Sequence, residues 1–285
     1  MRLSPQSVFA VFLLLLAMGA CRTKNPTTFL AVEYRALASE KDIVTVMDTL
    51  VAPVIYQGTV SLKHLPVAEK KQKFVDLMLP AILVAKHHID RDRAQILLIQ
   101  DKILQQQTLS FSDSIQLNKF TQIYKTEDID LLLRRMQTPP VSIVLAQAAV
   151  ESGWGTSRFF TEANNVFGIW DYNGSHEASI KAKYARADKQ VYLKKYDDLS
   201  ASIYDYFQTL GRVKAYQEFR IANEQKQNPY QLVNHLNRYS EMGLEYVNKL
   251  KVVMKANDFT KYDQYGLHPG YFVRKTEGPG WFASM

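Results

Sequence analysis

Apolar positions along most of the chain recur three and four residues apart, the spacing that places them on one face of an α-helix. From residue 29 to about residue 107 the pattern is helical. Phe74, Leu77, Met78 and Ala81 form one stripe; Ile96, Leu97, Ile99 and Leu104 form another. Pro80 interrupts the first stripe and is expected to kink or end its turn, because proline has no N–H to give to the helix. No alternation long enough for a strand is visible in this half. A polar stretch at 105–114 suggests a boundary. Residues 115–136 are again amphipathic, with Leu117, Phe120, Ile123 and Tyr124 on one face. Pro139 and Pro140 stop that helix and pre-set the start of the next, 141–152. Gly153 follows where a helix end favours a residue free to adopt positive φ.

The next segment, 154–174, is rich in Gly, Asn and aromatic residues and is expected to be mostly loop. Partial alternation of Tyr184, Val191, Leu193 and Tyr196 predicts a short β-hairpin over 180–196. Asp198 is placed to cap a helix running to Leu210, and further helices are expected at 229–236 and 244–255. The tail, 262–285, carries Gly, Pro and aromatic residues and shows no clear element. There is no internal repeat.

Composition changes this picture mainly at the N-terminus. The chain has 285 residues, 47% hydrophobic, enough for one large domain or two small ones with a real core. A net charge of +7 invites an anionic partner. The basic residues are nevertheless dispersed rather than run together, so no nucleic-acid partner is expected. Arg2, the apolar run 8–16, and the small residues Gly19 and Ala20 ahead of Cys21 form the three-part pattern of a secretory signal. Cys21 is the only cysteine, and it stands where bacterial lipoprotein signals place theirs, although Met18 occupies a position usually held by leucine. The expectation is a lipoprotein-type signal over 1–21, lipid on Cys21, and a polar tether from residue 22. A plain signal with an incidental cysteine is the alternative.

The chemistry centres on "AQAAVESGWGTSRFF", residues 146–160. A run of small and apolar residues ends in one carboxylate, Glu151, followed closely by Trp154. The C-terminal end of a helix carries partial negative charge, which disfavours a second negative charge there. An indole alongside would exclude water and act in the same direction. Glu151 is therefore expected to retain its proton towards neutral pH, as the general acid of a glycosidase must. A solvent-exposed glutamate at a helix end is the plainer alternative. His87, His88, Asp90 and Asp92 are metal-ligand types, but on one helix they point in several directions, so they read as a solvated face. No metal or cofactor is expected. Tyr271 and Phe272 offer a sugar-stacking pair, with packing of the tail on the main domain as the simpler reading.

Residues 139–174, with "LAQAAVESGWGTS" and "NNVFGIW", resemble the glucosaminidase domain of bacterial peptidoglycan hydrolases, glycoside hydrolase family 73. "RYSEMGLEYVNKL", 238–250, resembles that family's closing segment, and 69–97 is similar to the helical N-terminal region of the Bax-type bacterial proteins. The resemblance implies a mainly α protein. Its parts would be a helical N-terminal region over 22–110, a lysozyme-like domain with a small β-hairpin lobe over 111–260, and a tail over 261–285. It implies hydrolysis of β-1,4 bonds in peptidoglycan at N-acetylglucosamine, with Glu151 as catalytic acid and Tyr239 lining the site. Tyr246 would pack in the next helix. Trp154, Asn165, Phe167 and Trp170 would bind substrate. A second acid is expected from the hairpin lobe, but that lobe is mostly basic. Asp188 is the named candidate, Glu177 a weaker one, and Tyr239 or the substrate's own acetamido group the alternatives. A lytic transglycosylase and a non-catalytic wall-binding scaffold remain competing readings. The expected setting is the periplasmic face of the cell envelope, with the protein a lipid-anchored monomer on glycan strands.

Overall fold

A computed structural model describes residues 28–172, 179–182 and 191–274. Within them the chain begins with four short strands: β1 Thr28–Leu30, β2 Glu33–Ala36, β3 Leu50–Val51 and β4 Val54–Gln57. Helix α1 then runs without interruption over Val67–Leu104. The helical expectation for 29–66 is thus corrected. These strands are two to four residues long, too short for a period of two to show against the surrounding sequence. β2 and β4 pair in parallel, Glu33 opposite Val54.

Pro80 neither ends nor splits α1. Residues 74–85 of that helix are buried without a break, so packing on every side holds the turn that lacks one N–H. Helices α2 (Phe111–Tyr124) and α3 (Ile129–Arg135) replace the single helix expected over 115–136. Lys125 adopts a left-handed conformation, φ 54°, and ends α2. Asp128 starts α3 by accepting the Leu131 amide at 3.0 Å.

Helix α4 covers Val141–Ser152, and a short α5, Arg158–Ala163, interrupts the expected loop. The hairpin lobe pairs β5 (Ser179–Lys181) with β6 (Tyr192–Lys194), Ile180 opposite Leu193; Tyr184 lies outside the described residues. Asp198 caps α6 (Leu199–Arg212) by accepting the Ala201 amide at 3.0 Å. Then come α7 (Gln217–Glu224), α8 (Pro229–Leu232) continued by a tighter turn over Val233–Leu236, and α9 (Leu244–Ala256). Gly211 is required by close approach: a Cβ there would overlap the Arg135 carbonyl and the Tyr124 ring.

The tail is not featureless. A 3-10 turn over Phe259–Gln264 leads to β7 (Gly266–Leu267) and β8 (Phe272–Arg274). β7 pairs in parallel with β3, and β8 pairs antiparallel with β1, Leu30 opposite Phe272. The two ends of the described chain are therefore tied together. Phe272 turns its ring to His87, 5.3 Å between centroids, and Tyr271 meets His268.

The fold is mainly α. One core joins the N-terminal strands, the first half of α1, α4, α6, α9 and the tail, with Phe74, Ile143, Tyr206, Tyr246 and Phe259 all buried in it. A smaller core joins the far half of α1 to α2 and α3 through Ile96, Ile99, Phe120 and Leu132. Among the described residues no helix is long and apolar enough to cross a membrane.

Candidate active site

Helix α4 supplies the central group. Pro140 precedes its first turn, and the Asp263 carboxyl caps it from the tail, accepting the Ser142 amide and hydroxyl at 2.8 Å each. Its sequence is almost wholly apolar, so it lies inside the core, and only its last turn reaches an open surface. Gly153 closes it at φ 59°. Glu151, in that last turn, is half-buried and lines a cleft of about 900 Å³.

One helical turn before Glu151 stands Gln147, with no exposed surface. The two share a face of α4, and Tyr246 from α9 bridges them. The Tyr246 hydroxyl donates to Glu151 Oε1 at 2.8 Å and accepts from Gln147 Nε2 at 3.1 Å. The Tyr206 hydroxyl donates to Gln147 Oε1 in a short hydrogen bond. The order of donors runs one way, from Tyr206 through Gln147 and Tyr246 to the carboxyl. Every buried polar atom in the row has a partner, so Glu151 Oε1 is fixed and its other oxygen is left for the cleft.

Burial pushes the Glu151 carboxyl above the usual range; the Tyr246 hydrogen bond and the charge of Lys249 offset this only in part. The phenols around it stay neutral. Burial raises Tyr239, and Tyr246 and Glu151 add to the effect. Burial and Glu151 push Tyr216 up to about 12. Tyr239 stacks on Tyr246, centroids 5.5 Å apart and planes 11° off parallel. Phe167 stacks on Tyr206 at 3.9 Å.

Of the residues read from sequence, Glu151, Phe167, Trp170 and Tyr239 meet in this cleft. Two others do not. Trp154 takes φ 60° just after the helix end, which sends its indole towards α1. It sits 5.5 Å from Phe74 and 6.0 Å from Phe259, with Lys71 Nζ 4.9 Å from its ring. It is absent from the cleft lining and is not the cause of the Glu151 shift. Asn165 is buried and ties its own loop to β6. Its amide donates to the Ile169 and Lys194 carbonyls at 3.0 and 2.9 Å, and its Oδ1 accepts the Ile169 amide at 3.0 Å. It shapes the loop that carries Phe167 and Trp170 rather than facing the cleft. Asp188, Glu177 and Cys21 lie outside the described residues.

The sequence reading missed Gln147, Tyr206 and Tyr216, and gave Tyr246 only a packing role. It also missed the cationic wall of Lys125, Lys194 and Arg212. Behind that wall lies Asp205. It accepts from Lys194 Nζ at 2.7 Å, the Tyr196 hydroxyl at 2.8 Å and Arg212 at 3.3 Å. Burial pushes the Asp205 carboxyl up, but Lys194, Tyr196 and Arg212 together hold it below the usual range. A polar signal existed for Gln147 alone: a single amide in an otherwise apolar helix, one turn before the acid.

Residues 126–259 match the Glucosaminidase family model, described as mannosyl-glycoprotein endo-beta-N-acetylglucosaminidase. The chain is 31% identical over 135 residues to Protein bax of Escherichia coli (strain K12), covering 44% of this chain and 46% of that protein. It is 28% identical over 138 residues to the exo-glucosaminidase LytG of Bacillus subtilis (strain 168), covering 43% and 46%. The matched segment thus spans about half the length of each relative. The catalytic domain of the autolysin Auto from Listeria monocytogenes superposes with a TM-score of 0.37 at 22% identity, covering 58% of this chain and 96% of that domain.

Proposed function

We propose that the protein is a peptidoglycan hydrolase of lysozyme-like design, a reading supported by the match of residues 126–259 to the Glucosaminidase family model. It cleaves β-1,4 bonds at N-acetylglucosamine with Glu151 as general acid. The observation that carries this reading is a half-buried carboxyl opening on a large cleft, its pKa raised by burial and one oxygen held by Tyr246. Such a group keeps its proton until a glycosidic oxygen arrives. It then donates from the free oxygen as the C–O bond breaks and the sugar takes on oxocarbenium character. Neutral Tyr239 and Tyr216 offer hydroxyl donors along the same wall. Trp170 and the exposed Tyr172, centroids 5.9 Å apart, give sugar rings an aromatic surface. Glu151 accepts its proton back from the water that completes hydrolysis.

A second group must steady the cationic carbon or activate that water. Asp188 from the hairpin lobe is one candidate. Asp171, which lines the cleft, is a second candidate. The substrate's own acetamido oxygen is a third, in the manner of substrate-assisted glycosidases. Digestion of purified peptidoglycan with mass spectrometry of the products tests the assignment. N-acetylglucosamine at the new reducing ends is the expected result. Anhydro ends would replace it with a transglycosylase, and no release would leave a wall-binding scaffold. Product length separates endo from exo action, on which the family description and the LytG name differ.

The lipid anchor on Cys21 and the periplasmic setting belong to the same proposal. One acyl chain anchors only marginally, and stable anchoring takes a second. Replacement of Cys21 by serine is expected to move the protein from the membrane fraction to the soluble one. An unchanged distribution would refute the anchor.

A further inference from the structure

A second cavity shares no residue with the active cleft. The loop after the first strands, together with β3 and β4, closes over α1 and encloses about 220 Å³. Its walls are apolar, with Val51, Val54 and Pro80 among them, and the exposed Met47 and Leu50 stand at its mouth. At its base lies Asp76, 1% exposed.

The Asp76 carboxyl is only half used. Oδ1 accepts the Val46 amide at 3.0 Å and Gln72 Nε2 at 2.9 Å, which pins the loop to α1. Oδ2 is buried and makes no close hydrogen bond, although the Thr45 hydroxyl in the cavity wall stands near the carboxyl. An unpaired carboxyl oxygen in an apolar setting is costly, and native structures rarely leave one without a use. Pro80, one turn on, cannot donate to the Asp76 carbonyl, so this residue lacks a second donor that a helix would normally supply. No lysine, arginine or histidine lines the cavity, and Asp48 adds another negative group. The Lys73 ammonium, whose charge acts on Asp76, is held by the Ile43 carbonyl at 2.9 Å. Besides Asp76 and Asp48, the Thr45 and Tyr56 hydroxyls are the polar side-chain groups of the lining. The site lacks a positively charged donor attached to an apolar body.

We propose that this cavity binds a small organic cation, a primary ammonium on an apolar stem. The ammonium donates to Asp76 Oδ2 and the stem fills the space between Val51, Val54 and Pro80. Burial holds the Asp76 carboxyl above its usual range, against the Val46 and Gln72 amides, the Lys73 charge and the nearby Thr45 hydroxyl. A bound cation would return it to the anion. The same chemistry is carried by a free amine and by a lysine side chain of another polypeptide.

The test is a titration of the isotope-labelled full chain with phenethylammonium chloride, followed by amide shifts at Val46, Val51 and Ala52. N-acetyl-lysine amide is the second arm and 2-phenylethanol the uncharged control. Saturable shifts with either ammonium, at least tenfold tighter than with the alcohol, are expected from one charge-assisted hydrogen bond. The arm that saturates identifies the source. Asp76→Asn keeps an oxygen for Val46 and Gln72, so the loop stays pinned while binding falls by roughly tenfold or more. Ala52→Leu fills part of the cavity without touching the carboxyl, and is expected to weaken binding too if Asp76→Asn does not fold. Equal binding of amine and alcohol, or unchanged affinity in Asp76→Asn, or no saturable shift in either arm, overturns the proposal.

Discussion

One carboxyl group, Glu151, lines the cleft and another, Asp205, lies behind its cationic residues, and burial acts on both in the same direction. Glu151 at the end of α4 faces a neutral phenol and one lysine acting at a distance, so its pKa stays raised. Asp205 on α6 is at least as deeply buried, but Lys194, Tyr196 and Arg212 all donate to it, and its pKa falls. The difference shows that depth alone does not set the charge of a buried acid. The number and charge of its donors does. One wall thereby keeps a proton available, and the other keeps an anion that holds two cations in place. Under the proposed mechanism the cleft is an acid site with a cationic boundary.

The largest expected effect comes from removing the proton. Glu151→Gln keeps shape and hydrogen bonding with Tyr246 but cannot donate a proton to the leaving oxygen. Peptidoglycan turnover should fall about 10²- to 10⁴-fold. The melt should not suffer. An acid whose folded pKa is raised destabilises the fold once pH climbs through that value, so removing it at neutral pH leaves stability equal or slightly higher. Activity within a few-fold of wild type, with an intact melt, would remove Glu151 from the mechanism.

Tyr246→Phe sharpens the comparison by taking away the one donor that favours the ionised form of Glu151. The ring can still stack on Tyr239. In the proposed mechanism Glu151 acts in its protonated form, and without this hydrogen bond its pKa rises further. The alkaline limb of the pH–rate profile should therefore move to higher pH. The optimum rate should drop roughly tenfold, because the carboxyl is less well held and Gln147 loses an acceptor, at a cost of about 1–3 kcal/mol in stability. A limb that stays in place or moves down would show that Tyr246 does not tune the acid.

Asp205→Asn addresses the other wall. It leaves Lys194 and Arg212 without their shared anion, and a loss of about 1–3 kcal/mol is expected, reduced by the partial exposure of Lys194. The folded pKa of Asp205 is depressed, so its contribution is present above the unfolded value, about 4, and fades as pH falls through the folded one. Melting of wild type and variant should differ at pH 6 to 7 and converge at the acid end. A gap constant with pH would mean the loss is packing rather than charge.

How much of this the sequence revealed depends on how local each cause was. Helix α4 was legible at both ends because Pro140 and Gly153 act on their own neighbours, and α6 was legible from Asp198. The hairpin strands β5 and β6 were legible from partial alternation, but β1 and β8 were not, since each is stabilised by a partner far away in sequence and is too short to show a period. Trp154 was misplaced by adjacency: it follows Glu151 closely in sequence, but two successive left-handed residues turn it to the far side. Glu151 stood out because a lone acid in an apolar run is visible in one dimension. Tyr246, Tyr206 and Asp205 gain their roles from helices that meet only in three.

The smallest effect is expected from Asp188, and it tests whether the second group of the proposed mechanism lies in the hairpin lobe. Asp188 sits in "KYARADKQVYLKK", flanked by Arg186 and Lys189, in a segment whose charge is mostly basic. Neighbouring cations give a carboxylate other partners than a sugar, and nothing in that spacing matches a recognisable motif. If the acetamido group or Asp171 does the second task, Asp188→Asn should stay within about tenfold of wild type, well short of the 10²-fold or more expected from loss of an acid–base group. The measurement is initial-rate turnover of the same peptidoglycan for Asp188→Asn and Glu151→Gln. Equal losses in both would make Asp188 the second carboxylate, and the working pair would then span α4 and the hairpin lobe.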